Sequence, residues 1–282
     1  MNKISLMTFP LDMELKKKKM SILNILSIAN KAGIEYIDVL RIHPSKVEDY
    51  KKAIKETGVK IHCYIAVVSF FEKENKIRQN LEREMQTAVA VGASLFMIVP
   101  YYAMIDTRNA KRMGKLETQN KLITGFRLAV TIGEKYALPV CFETTPQDAI
   151  CLSGTEDCKY ILEQVPGLKF VFDTANMLPH GDDPIEAYEN LKQYIVHTHL
   201  KDVTLSKPTF SLMEQEITHD GKWMQCAVFG EGVIPIKQIY ERMIADGYAG
   251  TFALEYARPS HKVCDMEMHM KQVKKFVEYL SL

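Results

Sequence analysis

Lys60-Ile61-His62-Cys63-Tyr64-Ile65-Ala66-Val67 is followed by Ile77, Leu81, Met85, Ala88 and Val89, recurring at three- to four-residue spacing and stopped at Gly92. Ser94-Leu95-Phe96-Met97-Ile98-Val99-Pro100-Tyr101 then closes the unit. Residues 60–101 therefore read as strand, helix, strand. The flanking runs are apolar almost without interruption, which is what a strand buried on both faces requires. The middle segment carries one apolar stripe, and Gly92 can adopt the left-handed conformation that ends a helix. The same alternation extends in both directions. Upstream lie strand-like Ile4–Phe9 and Tyr36–Leu40, with stripes through Ile22, Ile25, Leu26, Ile28 and Ala29 (to Gly33) and through Val47, Tyr50 and Ile54 (to Gly58). Downstream lie Leu138–Glu143, Leu168–Thr174, Ile195–Leu200 and Thr251–Tyr256. Their helical stripes run through Leu122, Phe126, Ala129, Val130 and Ile132, through Ile236, Ile239, Tyr240 and Met243 (to Gly247), and through Val263, Met266, Met270, Val273 and Val277. Eight strand–helix units with right-handed crossovers predict a single-domain (β/α)8 TIM barrel over residues 1–282. No Gly-x-Gly-x-x-Gly follows the first strand, so a dinucleotide-binding open sheet loses support.

Bulk properties narrow the function. The chain has 282 residues, 47% hydrophobic and 25% charged, with a formal net charge of +1. Such a balance gives no field that would recruit nucleic acid or an anionic membrane. No apolar run reaches membrane-spanning length, and residues 1–20 lack the pattern of a signal peptide. Lys16–Lys19 reads as a solvated helix start or loop. Six cysteines at 63, 141, 151, 158, 226 and 264 form no Cys-x2-Cys pair and no disulfide framework, so a cytoplasmic protein is expected.

A barrel places its active site at the C-terminal ends of its strands. Strand five ends Cys141-Phe142-Glu143-Thr144 and strand six ends Phe172-Asp173-Thr174-Ala175-Asn176. Strand seven ends His197-Thr198-His199-Leu200-Lys201-Asp202 and strand eight Leu254-Glu255-Tyr256. One terminal acid would be an ordinary cap or ion-pair partner. Three carboxylates converging on one rim, beside a histidine, repel one another unless a cation lies among them. Three oxygen donors and an imidazole suit one divalent cation, Mn²⁺, Co²⁺ or Mg²⁺, with Zn²⁺ admissible.

Phe142-Glu143, Phe172-Asp173-Thr174-Ala175-Asn176, His197-Thr198-His199-Leu200-Lys201-Asp202, Phe229-Gly230-Glu231-Gly232 and Leu254-Glu255 resemble, in order and over nearly the whole chain, the xylose isomerase-like TIM-barrel superfamily. That group includes sugar isomerases and epimerases, inosose dehydratases and isomerases, and endonuclease IV. The resemblance implies that Glu143, Asp173, His199 and Glu255 are the metal ligands. It also brings Asn176, His197, Lys201, Asp202 and Glu231 forward as substrate-side candidates. His197 and His199 share one strand face, with His197 a layer deeper. The endonuclease IV branch places a histidine where Asn176 stands, and an Asp-x-His where this chain reads Met224-Gln225-Cys226, so a trinuclear phosphate site is not expected. The ketose 3-epimerase branch carries an arginine where Leu205 stands.

The expected chemistry is isomerisation or epimerisation of a sugar, sugar phosphate or cyclitol ketone through a metal-stabilised enediolate, with Glu143 and Glu255 removing and returning the proton. Loss of a β-hydroxyl from the same intermediate would make the enzyme an inosose-type dehydratase. A small polyol ketone or sugar is the expected partner, with no nucleic acid and no membrane, and a homo-oligomer is compatible with the sequence. His62, two residues before Tyr64, reads as a core histidine. Residues 203–234 form a long insertion after strand seven, with a hairpin at His219-Asp220-Gly221-Lys222 and Trp223 beside it. Tyr101–Leu116 reads as a second loop, whose Arg108, Lys111 and Arg112 could meet a phosphate. His180 is expected in a surface turn.

Overall fold

The computed structural model describes residues 3–8, 20–145, 147–206, 216–255 and 266–280. Its strands are β1 (Lys3–Met7), β2 (Tyr36–Leu40), β3 (Lys60–Val67), β4 (Leu95–Val99), β5 (Val140–Glu143), β6 (Lys169–Asp173), β7 (Ile195–Leu200), β8 (Val203–Ser206), β9 (Glu216–Ile217), β10 (Trp223–Cys226) and β11 (Thr251–Leu254). Eight of them close into a barrel in the order β1-β11-β7-β6-β5-β4-β3-β2, every pair parallel. Strand eight of the sequence reading is thus β11, and its expected last residue, Tyr256, lies outside the described residues, as do Phe9, Lys16–Lys19, Val263 and Cys264. The chain is a single-domain (β/α)8 barrel.

Many of the helices that pack around this barrel carry a stripe the sequence shows. α1 (Ile22–Lys31) buries Ile22, Ile25, Leu26 and Ala29, and Ser21 caps it by accepting from the Asn24 amide. α2 (Val47–Thr57) ends at Gly58, whose φ of 76° is left-handed. α3 (Glu74–Ala90) buries Ile77, Leu81, Met85 and Ala88. α4 (Ala103–Met113) and α5 (Lys115–Lys135) follow β4, and α6 (Thr155–Gln164) and α7 (Pro184–Leu191) follow β5 and β6. α8 (Ile236–Ala245) and α9 (Met266–Leu280) complete the ring.

The expected loop over Tyr101–Leu116 is instead α4 and the start of α5. Its helix has no wide apolar stripe, so periodicity did not reveal it. Asp106 accepts the Tyr102 amide at 2.6 Å, satisfying a donor at the helix start, and Gly114 (φ 82°) separates α4 from α5. Arg108, Lys111 and Arg112 stand exposed on that helix. The hairpin in the 203–234 insertion is present: β10 pairs antiparallel with both β9 and β8, and Thr218–Lys222 turns between β9 and β10. Among the described residues no helix is long and apolar enough to cross a membrane.

Strand alternation separates two cores. Outward residues such as Leu6, Ile37, Tyr64, Phe96, Phe142, Phe170 and Phe172 pack against the helices. Rings of Phe70, Phe126, Phe142 and Phe170 continue from one to the next, with centroids 5.0, 4.9 and 5.3 Å apart. Burying each such ring contributes about 1.5–3 kcal/mol, enough to fix strand parity. Inward residues Met7, Cys63, Ile65, Leu95, Met97, Cys141 and Val171 fill one side of the lumen. With Phe142 and Phe172 outward, Glu143 and Asp173 must point inward. The barrel register slips at Ile37/Asp38 and again at Phe170/Val171, opposite Ile195–His197. These irregularities immediately precede the buried polar residues Asp38 and His197, and such bulges re-aim side chains.

Candidate metal centre

Four consecutive barrel strands, β5, β6, β7 and β11, deliver Glu143, Asp173, His199 and Glu255 to one place. Each offers one donor atom within 4.8 Å of the others. His199 Nδ1 lies 2.9 Å from Glu143 Oε2 and 3.4 Å from Glu255 Oε2. Asp173 and His199 are fully buried, whereas the Glu143 and Glu255 side chains keep 19% and 12% of their surface, so the two glutamates form the open side. Asp173 Oδ1 accepts the amides of Ala175 and Asn176, both at 2.8 Å, while its Oδ2 is buried without a hydrogen-bond partner.

An unpartnered carboxylate oxygen inside a protein is costly, and the site's electrostatics record it. Burial, offset by Lys201 and reinforced by the Glu255 and Glu143 charges, pushes the Asp173 carboxyl up to about 8. Burial also opposes the Glu255 carboxylate, but the Lys201 ammonium and His199 outweigh it and hold its carboxyl well below the usual range. Burial disfavours the His199 imidazolium, yet the Glu143 charge and hydrogen bonds to the surrounding carboxylates raise its pKa well above that of a free histidine. Three carboxyl groups set around an orphaned oxygen and an imidazole are a donor set that fits a divalent cation.

The other sequence candidates divide. Lys201 Nζ lies 3.0 Å from both Glu255 Oε1 and Asn176 Oδ1 and 3.9 Å from Asp173 Oδ2, so Lys201 and Asn176 belong to the centre. Asn176 Nδ2 also donates to the Thr144 carbonyl at 3.2 Å. His197 does not line the mouth. It is fully buried below His199, with Nε2 2.7 Å from Asp38 Oδ2 and Nδ1 3.0 Å from the Thr251 carbonyl.

Asp202 is occupied as well, its carboxylate accepting the amides of Val203, Gly230, Gly232 and Ile234. Because the amides on both sides of Glu231 point at Asp202, the Glu231 side chain turns outward. It is 59% exposed and pairs with Lys275 at 2.7 Å, away from the centre. His180 sits in a short helical turn against Ser153 and Asp148, at 3.5 and 3.3 Å. His62 faces the lumen, its ring 4.8 Å from that of His197. Burial and the His197 charge depress its pKa to about 4.

Asp38 escaped the sequence reading. It is fully buried, accepts from Ser5 Oγ at 2.7 Å and lies 3.7 Å from His199 Nε2. Asp38, His197 and His199 form a second cluster of potential ligand atoms. Its only sequence signal is an acid inside the apolar strand Tyr36-Ile37-Asp38-Val39-Leu40.

Fold and sequence together define the class: residues 26–278 match the family model described as xylose isomerase-like TIM barrel, and the chain belongs to that family. An inosose dehydratase from Geobacillus thermodenitrificans (strain NG80-2) is 28% identical over 109 residues, a match spanning 37% of this chain and only 36% of that relative. Among solved structures, the IOLI protein with a bound zinc atom aligns with a TM-score of 0.76 at 17% identity, covering 99% of this chain and 98% of that one. The 3-keto-D-glucoside 4-epimerase YcjR from E. coli aligns with a TM-score of 0.73 at 16% identity, covering 99% and 100%. At these identities the structural likenesses establish the fold.

Proposed function

We propose that the chain is a divalent-metal-dependent isomerase or epimerase of a small polyhydroxylated ketone, a sugar, sugar phosphate or cyclitol. The observation that carries this reading is the buried pair Asp173 and His199 flanked by two partly open glutamates, Glu143 and Glu255. Those four residues would hold the ion, Mn²⁺, Co²⁺, Mg²⁺ or Zn²⁺. An ion held there would supply positive charge that polarises a carbonyl and offsets the negative charge developing on its oxygen. The protein's own groups supply the rest. One glutamate takes the proton from the carbon beside the carbonyl while the C–H pair becomes a C=C bond and the carbonyl π pair moves onto its oxygen. The other, carrying a proton when the substrate binds, returns it to the neighbouring carbon or to the opposite face. Lys201 keeps Glu255 ionised and, with Asn176, presents donors to substrate oxygens at the rim.

Departure of a β-hydroxyl before the proton returns would make the same site a dehydratase, a reading favoured by the match to an inosose dehydratase. Glu143→Gln and Glu255→Gln are each expected to lower kcat by at least about a hundredfold, in keeping with the loss of a positioned acid or base. Either variant turning over at the wild-type rate would remove that glutamate from the mechanism.

A further inference from the structure

Among the described residues, the polar groups beneath the candidate centre are organised around one carboxylate. Asp38 Oδ1 accepts the Ser5 hydroxyl at 2.7 Å, and Oδ2 faces His197 Nε2 at 2.7 Å. The other nitrogen of His197 faces the Thr251 carbonyl, which can only accept. Asp38 and the Thr251 carbonyl thus hold the His197 ring between them. Above them, His199 turns Nδ1 toward Glu143 and Glu255 and Nε2 toward Asp38 Oδ2, 3.7 Å away. That Nε2 is buried with no hydrogen-bond partner of its own. A ring whose Nδ1 gives its lone pair to an ion must keep its proton on Nε2, and the nearest acidic acceptor for that proton is Asp38.

We propose that Asp38 is the positioning residue of the centre: clamped by Ser5 and His197, it accepts the Nε2 proton of His199 and so presents the Nδ1 lone pair to the ion. The proposal rests on the metal-dependent reading above. Asp38 touches no substrate on this account. It acts through His199 as a second acceptor behind a ligand histidine, fixing both tautomer and ring orientation. The alternative, that Asp38, His197 and His199 hold an ion of their own, conflicts with the hydrogen bond already joining Asp38 to His197 and with the Thr251 carbonyl that engages the other nitrogen of that ring.

The test is Zn²⁺ binding without substrate, by chelator competition, on the wild type, Asp38→Asn and Ser5→Ala, with folding checked by circular dichroism. Long-range ¹H–¹⁵N spectra of histidine-labelled wild type with Zn²⁺ give the tautomer directly. The expected result is one ion per chain, with the His199 proton on Nε2. Asp38→Asn should bind about 10- to 100-fold more weakly, the range typical of lost outer partners, and Ser5→Ala a few-fold more weakly. A folded Asp38→Asn that binds within twofold of wild type, a His199 proton on Nδ1, or two ions per chain would overturn the proposal. If Asp38→Asn does not fold, the wild-type tautomer and the Ser5→Ala affinity decide. A wild type that binds no divalent ion would instead remove the metal-dependent reading itself.

Discussion

Asp173→Asn should make the metal-free protein more stable while abolishing its response to metal. The folded Asp173 carboxyl titrates near 8, against 3.8 for the free group. The folded state thus holds this proton more tightly than the unfolded state. Its stabilising effect is complete below about pH 4 and is lost as pH rises through about 8. At about 1.36 kcal/mol per pH unit, the span from pH 5 to pH 8 costs the wild type up to about 4 kcal/mol through this one group. Asparagine mimics the protonated acid. Its Oδ1 can keep the amides of Ala175 and Asn176, and it removes the orphaned oxygen. The assay is urea unfolding in EDTA at both pH values, paired with thermal melts with and without excess Mn²⁺. Asp173→Asn should gain several kcal/mol on the wild type as pH rises, on the order of 10 °C in Tm for a chain of this size. Mn²⁺ should raise the wild-type Tm and leave the variant's nearly unchanged. A variant less stable than wild type at pH 8 in EDTA, or one equally stabilised by Mn²⁺, would refute the reasoning.

Lys201→Met removes a nearly buried ammonium from Glu255 and should cost about 3–5 kcal/mol in EDTA but distinctly less with Mn²⁺ bound. Equal losses by urea unfolding in the two conditions would contradict the idea that Lys201 offsets the carboxylates. Asp202→Asn leaves only one oxygen for four amides, so about 2–5 kcal/mol and the protection of Gly230 and Gly232 against hydrogen exchange should be lost. Unchanged exchange there would show that Asp202 does not hold this loop. His62 is depressed from 6.5 to about 4, so the unfolded state binds its proton first as pH falls, and stability drops across that window. Because the ring is not fully buried, about 2 kcal/mol of that loss should vanish in His62→Phe, and denaturation between pH 7 and 4 measures it.

Strand parity made the centre legible. Phe142 and Phe172 are large, apolar and buried against helices, so Glu143 and Asp173 had to face the lumen, and the same period of two put His197 and His199 on one face. The helix stops at Gly33, Gly58, Gly92 and Gly247 were equally readable, since each adopts a left-handed φ that glycine tolerates. Contacts between strands far apart in sequence were not readable. Asp38 meets His197 across 159 residues, and no local pattern encodes that meeting. Glu231 shows the converse: a motif placed it near the centre, but the amides beside it commit to Asp202 and turn it toward Lys275. α4 lacked a stripe because its exposed face is itself partly apolar, with Met104 and Ile105 open to solvent.

Deuterium uptake tests the central claim most directly. Ketoses, ketose phosphates and inososes are incubated in D2O with the protein and Mn²⁺, beside a chelated control, and followed by NMR. The account expects metal-dependent exchange at a carbon adjoining the carbonyl of at least one compound, with the product distinguishing isomerisation, epimerisation and dehydration. Metal binding at the centre with no exchange in any of them would contradict the account, leaving Glu143 and Glu255 as ligands without a proton to move.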